Sequence, residues 1–199
     1  MTERRSPVLT LGLLLCAASG CAAYTGTAQT LRPRAISEER GWLAIRGVTP
    51  RKQSAEHDCG PTALAMVLSY YRTPGLDALL ANLPSDHQIS VAQLRDLARS
   101  RGYSAFVVAG TPEDLVYELE HHRPSIVGVA KPTLKGAVTH YEVVVGLHRD
   151  SQRIATLDPS AGWRQNSFAG FLSEWQATGR VLLVIVPKTT GTLPLAVRK

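Results

Sequence analysis

The stretch Asp58-Cys59-Gly60-Pro61, set directly before a run of buried-type helix residues, constrains this sequence more than any other. From Thr62 onward, Leu64, Val67, Leu68 and Tyr71 recur at offsets of three and four, the period of a helix with an apolar stripe. Pro61 suits the first turn of that helix, where its missing N–H would be unpaired anyway. Cys59 therefore stands at or just before a helix N-terminus, where the macrodipole and the free backbone N–H groups favour the thiolate. The plainer alternative is an inert cysteine buried in a core helix. Three features favour a nucleophile instead. Cys59 precedes the apolar stripe; the side-chain amide of Gln53 lies six positions upstream, within reach as an oxyanion donor; and a His and an Asp with suitable surroundings follow later.

Cysteine use depends on the N-terminus. Arg4 and Arg5 form a basic start, Val8 to Ala18 is a short apolar run, and Ala18-Ser19-Gly20-Cys21 follows. The run is too short to span a bilayer and right for an export signal. Its end resembles a bacterial lipobox, with Ala18 in place of the more usual Leu, which implies cleavage before Cys21 and lipidation of its thiol. An ordinary secretory signal leaving Cys21 free is the alternative. Ala22 is not the Asp that, by resemblance to known sorting rules, retains a lipoprotein in an inner membrane. The expected location is the cell envelope, on an outer membrane facing the periplasm. Cys16 leaves with the signal and Cys21 carries lipid, so Cys59 is the one free thiol of the mature chain and no disulfide can form.

The formal charge of +6 becomes +5 once Arg4, Arg5 and Glu3 are removed with the signal. This excess is spread out, with no run of five like charges and no basic helix interleaved with aromatics, which argues against nucleic-acid binding. It gives at most a weak preference for an anionic membrane surface or an acidic partner.

Along the chain, residues 1–21 read as signal, 22–41 as a flexible polar tether, 42–187 as one folded domain and 188–199 as a frayed tail. A short strand is expected at Gly41–Ile45, a short helix at Leu76–Leu83, and a helix opened by Ser90 with Gln93 three residues on, a capping box, closed by Gly102. Tyr103–Ala109 reads as a strand and Thr111-Pro112-Glu113-Asp114 as a helix start ending in His121-His122. From Ser125 the period becomes strand-like: Ser125–Ala130, Thr139–Leu147 and Arg153–Asp158, then a short helix at Phe168–Trp175 and a strand at Val181–Val186. Helices first and an antiparallel sheet second make an α+β plan.

If the strands around the 149–152 turn form a hairpin, residues whose numbers sum to about 300 lie opposite one another. His140 then faces the region of residue 160, and Asp158 lies near it at the same sheet edge. A carboxylate so placed accepts one ring N–H, fixes the tautomer, and leaves the other nitrogen to take the thiol proton. Taken singly, His140 reads equally as a hydrogen-bonded core histidine and Asp158-Pro159 as a turn opener; the trio with Cys59 favours catalysis. His57 reads as an exposed loop residue, and His121-His122 as a favourable contact with a helix C-terminus. A metal site from His57, Cys59 and His140 lacks any CxxC or HExxH spacing, and no cofactor is expected.

Gln53-x5-Cys59 within QSAEHDCGPTALAMVLSYY, His140 in HYEVVVGL and Asp158 in LDPS resemble, in this order, the papain-like bacteriocin-processing peptidases that remove double-glycine leader peptides. The resemblance runs from about Lys52 to Pro187. It implies a papain-like α+β fold with Cys59 as nucleophile, His140 as general base and acid, Asp158 as the orienting residue and Gln53 as oxyanion donor. The best-known members are fused to membrane transporter domains. Here a lipoprotein signal precedes the peptidase-like region and the sequence stops after it, so a stand-alone lipoprotein form is expected and the double-glycine substrate does not follow. The expected function is a thiol peptidase of the bacterial cell envelope acting on a peptide or exported protein through an acyl-enzyme. Two alternatives stay open: a leader-binding module of a secretion or transporter system without turnover, and another thiol acyl transferase of amidase or transglutaminase type. The lipobox predicts that wild-type protein partitions with membranes and that Cys21→Ser stays unprocessed or loses lipid. A mature wild-type chain that is unlipidated in mass spectra and fully soluble would refute the anchor.

Overall fold

The structure is a computed structural model describing residues 26–81, 83, 88–134 and 136–188. The expected signal, the lipidation site Cys21 and the tail from residue 189 lie outside the described residues. In chain order the elements are β1 (Gln29–Thr30), α1 (Ala35–Glu38), β2 (Trp42–Ala44), α2 (Cys59–Tyr70), α3 (Leu76–Ala81), α4 (Val91–Ser100) and β3 (Tyr103–Ala109). They continue with α5 (Pro112–Glu120), β4 (Ser125–Thr133), β5 (Gly136–His148), β6 (Arg153–Asp158), β7 (Gly162–Ser167), α6 (Phe168–Gln176) and β8 (Val181–Pro187). No described helix is long and apolar enough to cross a membrane.

Local signals set most helix boundaries. Ser90 and Gln93 form the capping box that opens α4, the Gln93 N–H donating to Ser90 Oγ at 3.3 Å and the Ser90 N–H to Gln93 Oε1 at 2.9 Å. Thr111 and Asp114 do the same for α5, with Pro112 in its first turn. The helix α2 is apolar all round, buried from Cys59 to Leu68, because it lies inside the protein rather than on its surface.

The strands form one antiparallel sheet in the order β1-β7-β6-β5-β4-β8-β3, with β2 paired to the far end of β5. The β5–β6 hairpin has the expected register: Val143 faces Leu157 and Val144 faces Thr156. A bulge between Val144 and Gly146 then shifts the pairing by one, so Gly146 meets Ala155. The hairpin of β4 and β5 pairs Val129 with His140 and Lys131 with Val138. Since side chains alternate across a strand, Lys131, His140, Glu142, Thr156, Asp158 and Arg164 share one face of four adjacent strands.

One expectation needs correction. The described part of the expected tether, residues 26–41, is docked on the sheet. β1 pairs with β7, the Leu31 N–H donates to the Trp163 carbonyl at 3.0 Å, and Leu31 and Ile36 enter the core. A mostly polar composition concealed two apolar residues spaced to reach the same core. β7 is a strand for which no expectation existed, since its sequence Gly-Trp-Arg-Gln-Asn-Ser has no apolar alternation. It forms a strand because it pairs with β6 on one side and β1 on the other. Leu31→Ala is expected to lower stability by about 2–4 kcal/mol, the usual range for deleting a core leucine. Urea unfolding of the full chain measures it, and an unchanged midpoint would mean that the segment is undocked.

Candidate active site

Cys59 is the first residue of α2, behind the N-cap position of Asp58. Asp58 does not cap the helix; its Oδ2 accepts the Ala55 N–H at 3.0 Å and closes the turn that leads in. The helix start, the interior of β5 and the end of β6 converge here, so distant stretches of chain meet at one point. Close packing requires a small residue beside the cysteine. A Cβ at Gly60 would come within 3.1 Å of both Leu94 and Tyr141.

The Nε2 of His140 hydrogen-bonds Asp158 Oδ1 at 2.8 Å, and the imidazole also hydrogen-bonds Cys59. With the carboxylate accepting the Nε2 proton, the Nδ1 nitrogen is the one that faces the thiol. Asp158 is 0% exposed and fully supplied with donors. Besides His140, its Oδ1 accepts the Ser160 N–H and the Ser160 hydroxyl, each at 2.7 Å, and its Oδ2 accepts the Lys131 ammonium. Lys131 also donates to Glu142 Oε1 at 2.8 Å, and the Thr156 hydroxyl donates to Glu142 Oε2 at 2.6 Å.

These contacts set the protonation states. Burial pushes the Cys59 thiol up, but the hydrogen bond from His140, the Tyr141 backbone N–H, the His140 charge and the Gln88 amide outweigh it, and the thiol lies below its ordinary value of 9.0. For His140, burial favours the neutral ring, and the charge of Lys131 acts in the same sense. The bonds to Asp158 and Cys59 and the Asp158 charge prevail, raising it to about 9. Burial alone would raise Asp158; the bond and charge of His140 and the charge of Lys131 hold it well below the usual carboxylate range. A thiolate–imidazolium pair therefore has a pH window, opening at the lowered thiol value and closing near 9 as His140 loses its proton.

The fold brings together Cys59, His140 and Asp158, the trio expected from the sequence. The amide of Gln53, the expected oxyanion donor, has partners in its own loop. Its Nε2 donates to the carbonyls of Ala55 at 2.8 Å and Glu56 at 3.3 Å. Its backbone N–H donates to Pro159 O at 2.9 Å, which ties the Gln53 loop to the residue after Asp158. The amide that touches Cys59 belongs to Gln88, with Nε2 3.5 Å from Sγ and 2.5 Å from the Thr139 carbonyl. Cys59 is 2% exposed beneath it. Lys131, Glu142 and Gln88 went unrecognised in the sequence. A signal existed for the first two. Glu142 is two residues from His140 in an otherwise apolar strand, and the β4–β5 hairpin pairing places Lys131 beside them. Gln88 had none, since it lies in a loop ahead of α4.

His57 is half-buried rather than exposed. Among the described residues, the one His/Asp/Glu/Cys group close enough to share a cation is His140, Glu142 and Asp158, without His57 or Cys59. The Lys131 ammonium already bridges the two carboxylates of that group.

Residues 48–190 match the Peptidase C39 family. Over 153 residues the chain is 31% identical to a mesentericin transport/processing ATP-binding protein from Leuconostoc mesenteroides. That match covers 69% of this chain, which spans only 18% of the relative's length. The fold is similar to the peptidase domain of Streptococcus ComA, a bi-functional ABC transporter involved in quorum sensing. The TM-score is 0.57 at 22% identity, over 71% of this chain and all of that one. It is equally similar, at a TM-score of 0.57 and 21% identity, to a double glycine motif protease from an AMS/PCAT transporter in complex with the leader peptide. This second match covers 75% of this chain and 96% of that one. At such identities the two solved structures establish the papain-like α+β fold.

The pair's pH window yields a test. Iodoacetamide alkylation of Cys59 should have a midpoint below 9.0. His140→Ala should move it up towards that value, because the largest lowering influence is gone, and Asp158→Asn should move it less. A wild-type midpoint at or above 9.0 would rule out the activated pair.

Proposed function

This chain belongs to the peptidase C39 family and is a cysteine peptidase; from that premise we propose that it acts in the bacterial cell envelope on an exported peptide or protein, through an acyl-enzyme on Cys59. The observation that carries this reading is the hydrogen-bonded series Cys59–His140–Asp158 at the start of a buried helix. The Cys59 thiolate attacks the scissile carbonyl carbon, and the His140 imidazolium gives its proton to the leaving amine as the C–N bond breaks. A thioester remains. His140, now neutral, takes one proton from water, whose oxygen attacks the thioester; the C–S bond breaks to leave thiolate, imidazolium and a carboxylic acid, which loses its remaining proton to solvent as carboxylate. Asp158 keeps the ring in the tautomer this sequence needs.

Gln53 and the Cys59 backbone N–H would hold the tetrahedral oxyanion. The tie between Gln53 and Pro159 supports this role, since it keeps that loop beside the triad. The Gln53 amide would leave the carbonyls of Ala55 and Glu56 when substrate arrives. The substrate class we propose is a peptide with a double-glycine leader, supported by family membership and by the leader-bound double glycine motif protease of similar fold. Attachment to the membrane through a lipidated Cys21 is supported by the lipobox-like sequence. It would keep the peptidase near the bilayer: Thr27, which hydrogen-bonds Asn166, is six residues on, a reach of at most about 22 Å.

Full-chain protein incubated with a synthetic double-glycine leader peptide should release the leader carboxyl-terminal to the second glycine, read by mass spectrometry, and Cys59→Ala should release none. Gln53→Ala should reduce turnover by roughly a hundredfold or more while leaving the alkylation profile unchanged, because an oxyanion donor acts on the transition state and not on the resting thiolate. Binding of the peptide without cleavage by wild type would favour the leader-binding alternative.

A further inference from the structure

We infer that Lys131 is a positioning residue of this site, an internal counter-ion that holds Asp158 in its ring-facing rotamer and balances the charge on which the Cys59–His140 pair depends. The inference deepens the triad reading above and rests on it. Its basis is geometric. Asp158 has two carboxylate oxygens with separate duties: Oδ1 takes His140 and Ser160, and Oδ2 takes Lys131. Rotation of the carboxylate would break both sets at once. Lys131 is in turn held by Glu142, which is 6% exposed and anchored by the Thr156 hydroxyl.

Charge bookkeeping gives the cluster a further property. The groups facing His140 and its partner Asp158 are Cys59 from α2, Lys131 from β4, Glu142 from β5 itself and Arg164 from β7, whose Nη1 is 3.9 Å from Asp158 Oδ2. With the thiolate–imidazolium pair formed, Cys59, Asp158 and Glu142 are negative and His140, Lys131 and Arg164 positive, so the cluster is neutral. Gln88 and the Tyr141 backbone N–H, the other polar contacts of Cys59, carry no charge. Loss of Lys131 leaves an excess of negative charge around the imidazole, which strengthens its hold on the proton. Loss of the Glu142 charge has the opposite effect. Imidazolium that holds its proton too tightly is a poor acid toward the leaving amine, and one that holds it too weakly leaves the thiol protonated.

The test is an NMR titration of the His140 imidazole in the full chain, assigned by comparison with His140→Gln. The wild-type midpoint is expected at about 9. Lys131→Met should raise it and Glu142→Gln lower it, each by about 0.5–1 unit, and Lys131→Arg should stay close to wild type. Leader cleavage, measured beside it, should lose kcat in Lys131→Met with little change in KM and recover in Lys131→Arg. Unchanged midpoints, or shifts of the same sign in Lys131→Met and Glu142→Gln, would overturn the inference and leave Lys131 a packing residue. Glu142→Gln is nearly isosteric and keeps the test decisive should Lys131→Met fold poorly. The titration needs no substrate, so a failure of the peptidase reading would appear as absent cleavage with the opposed shifts intact.

Discussion

The carboxylate of Asp158 has no contact with water, and much of the site follows from that condition. An ionised group in such a place must be met by enough donors to replace its hydration, or it neutralises. Here His140, Ser160 and Lys131 supply them. Each donor fixes a different part of the molecule. His140 brings β5, Lys131 brings β4, and Ser160 closes the turn between β6 and β7. The sheet therefore has a polar seam across three strands, with Val127, Val129 and Val144 beside it on the same face. That seam holds the imidazole at the angle at which it meets Cys59.

The other half of the site is carried by α2. Its burial gives the cysteine a rigid platform at a helix start, where the first N–H groups have no partner within the helix. The two halves are joined by the short tie from Gln53 to Pro159 and by the packing of Gly60 against Tyr141 and Leu94. A sulfur at the start of a buried helix and an imidazole where the buried stretch of a strand begins approach one another because both elements are packed into one core. Gln88 then lies over the sulfur, bonded to the carbonyl of Thr139, the residue before His140. The thiol of the nucleophile thus has a neutral amide beside it.

What could be read without coordinates had local causes. Capping boxes at Ser90 and Thr111, the proline in the first turn of α2 and the strand-like patterns of 139–147 and 153–158 act within a few residues of themselves, so their outcome was visible in the letters. The pairing of His140 with Asp158 was legible for the same reason, since one hairpin turn separates their strands and sets the register. Cys59 could be placed because a helix start is a local event with a known electrostatic consequence.

Other features belong to tertiary structure alone. The polar segment 26–41 docks because Leu31 and Ile36 find a core built by residues more than a hundred positions away, and β7 is a strand because it has two neighbours, not because of its own composition. The direction of the Gln53 amide depends on which carbonyls the incoming loop presents to it. Lys131 lies just past the apolar run of its strand, where a lysine ordinarily reaches solvent, and it points inward only because Asp158 and Glu142 meet it there. Sequence by itself determined the helix that begins at Cys59, the strand register that pairs His140 with Asp158, and hence the thiol chemistry. The compensation of buried charge was decided only by the fold, because desolvation is a property of everything that surrounds a group and no local pattern encodes it.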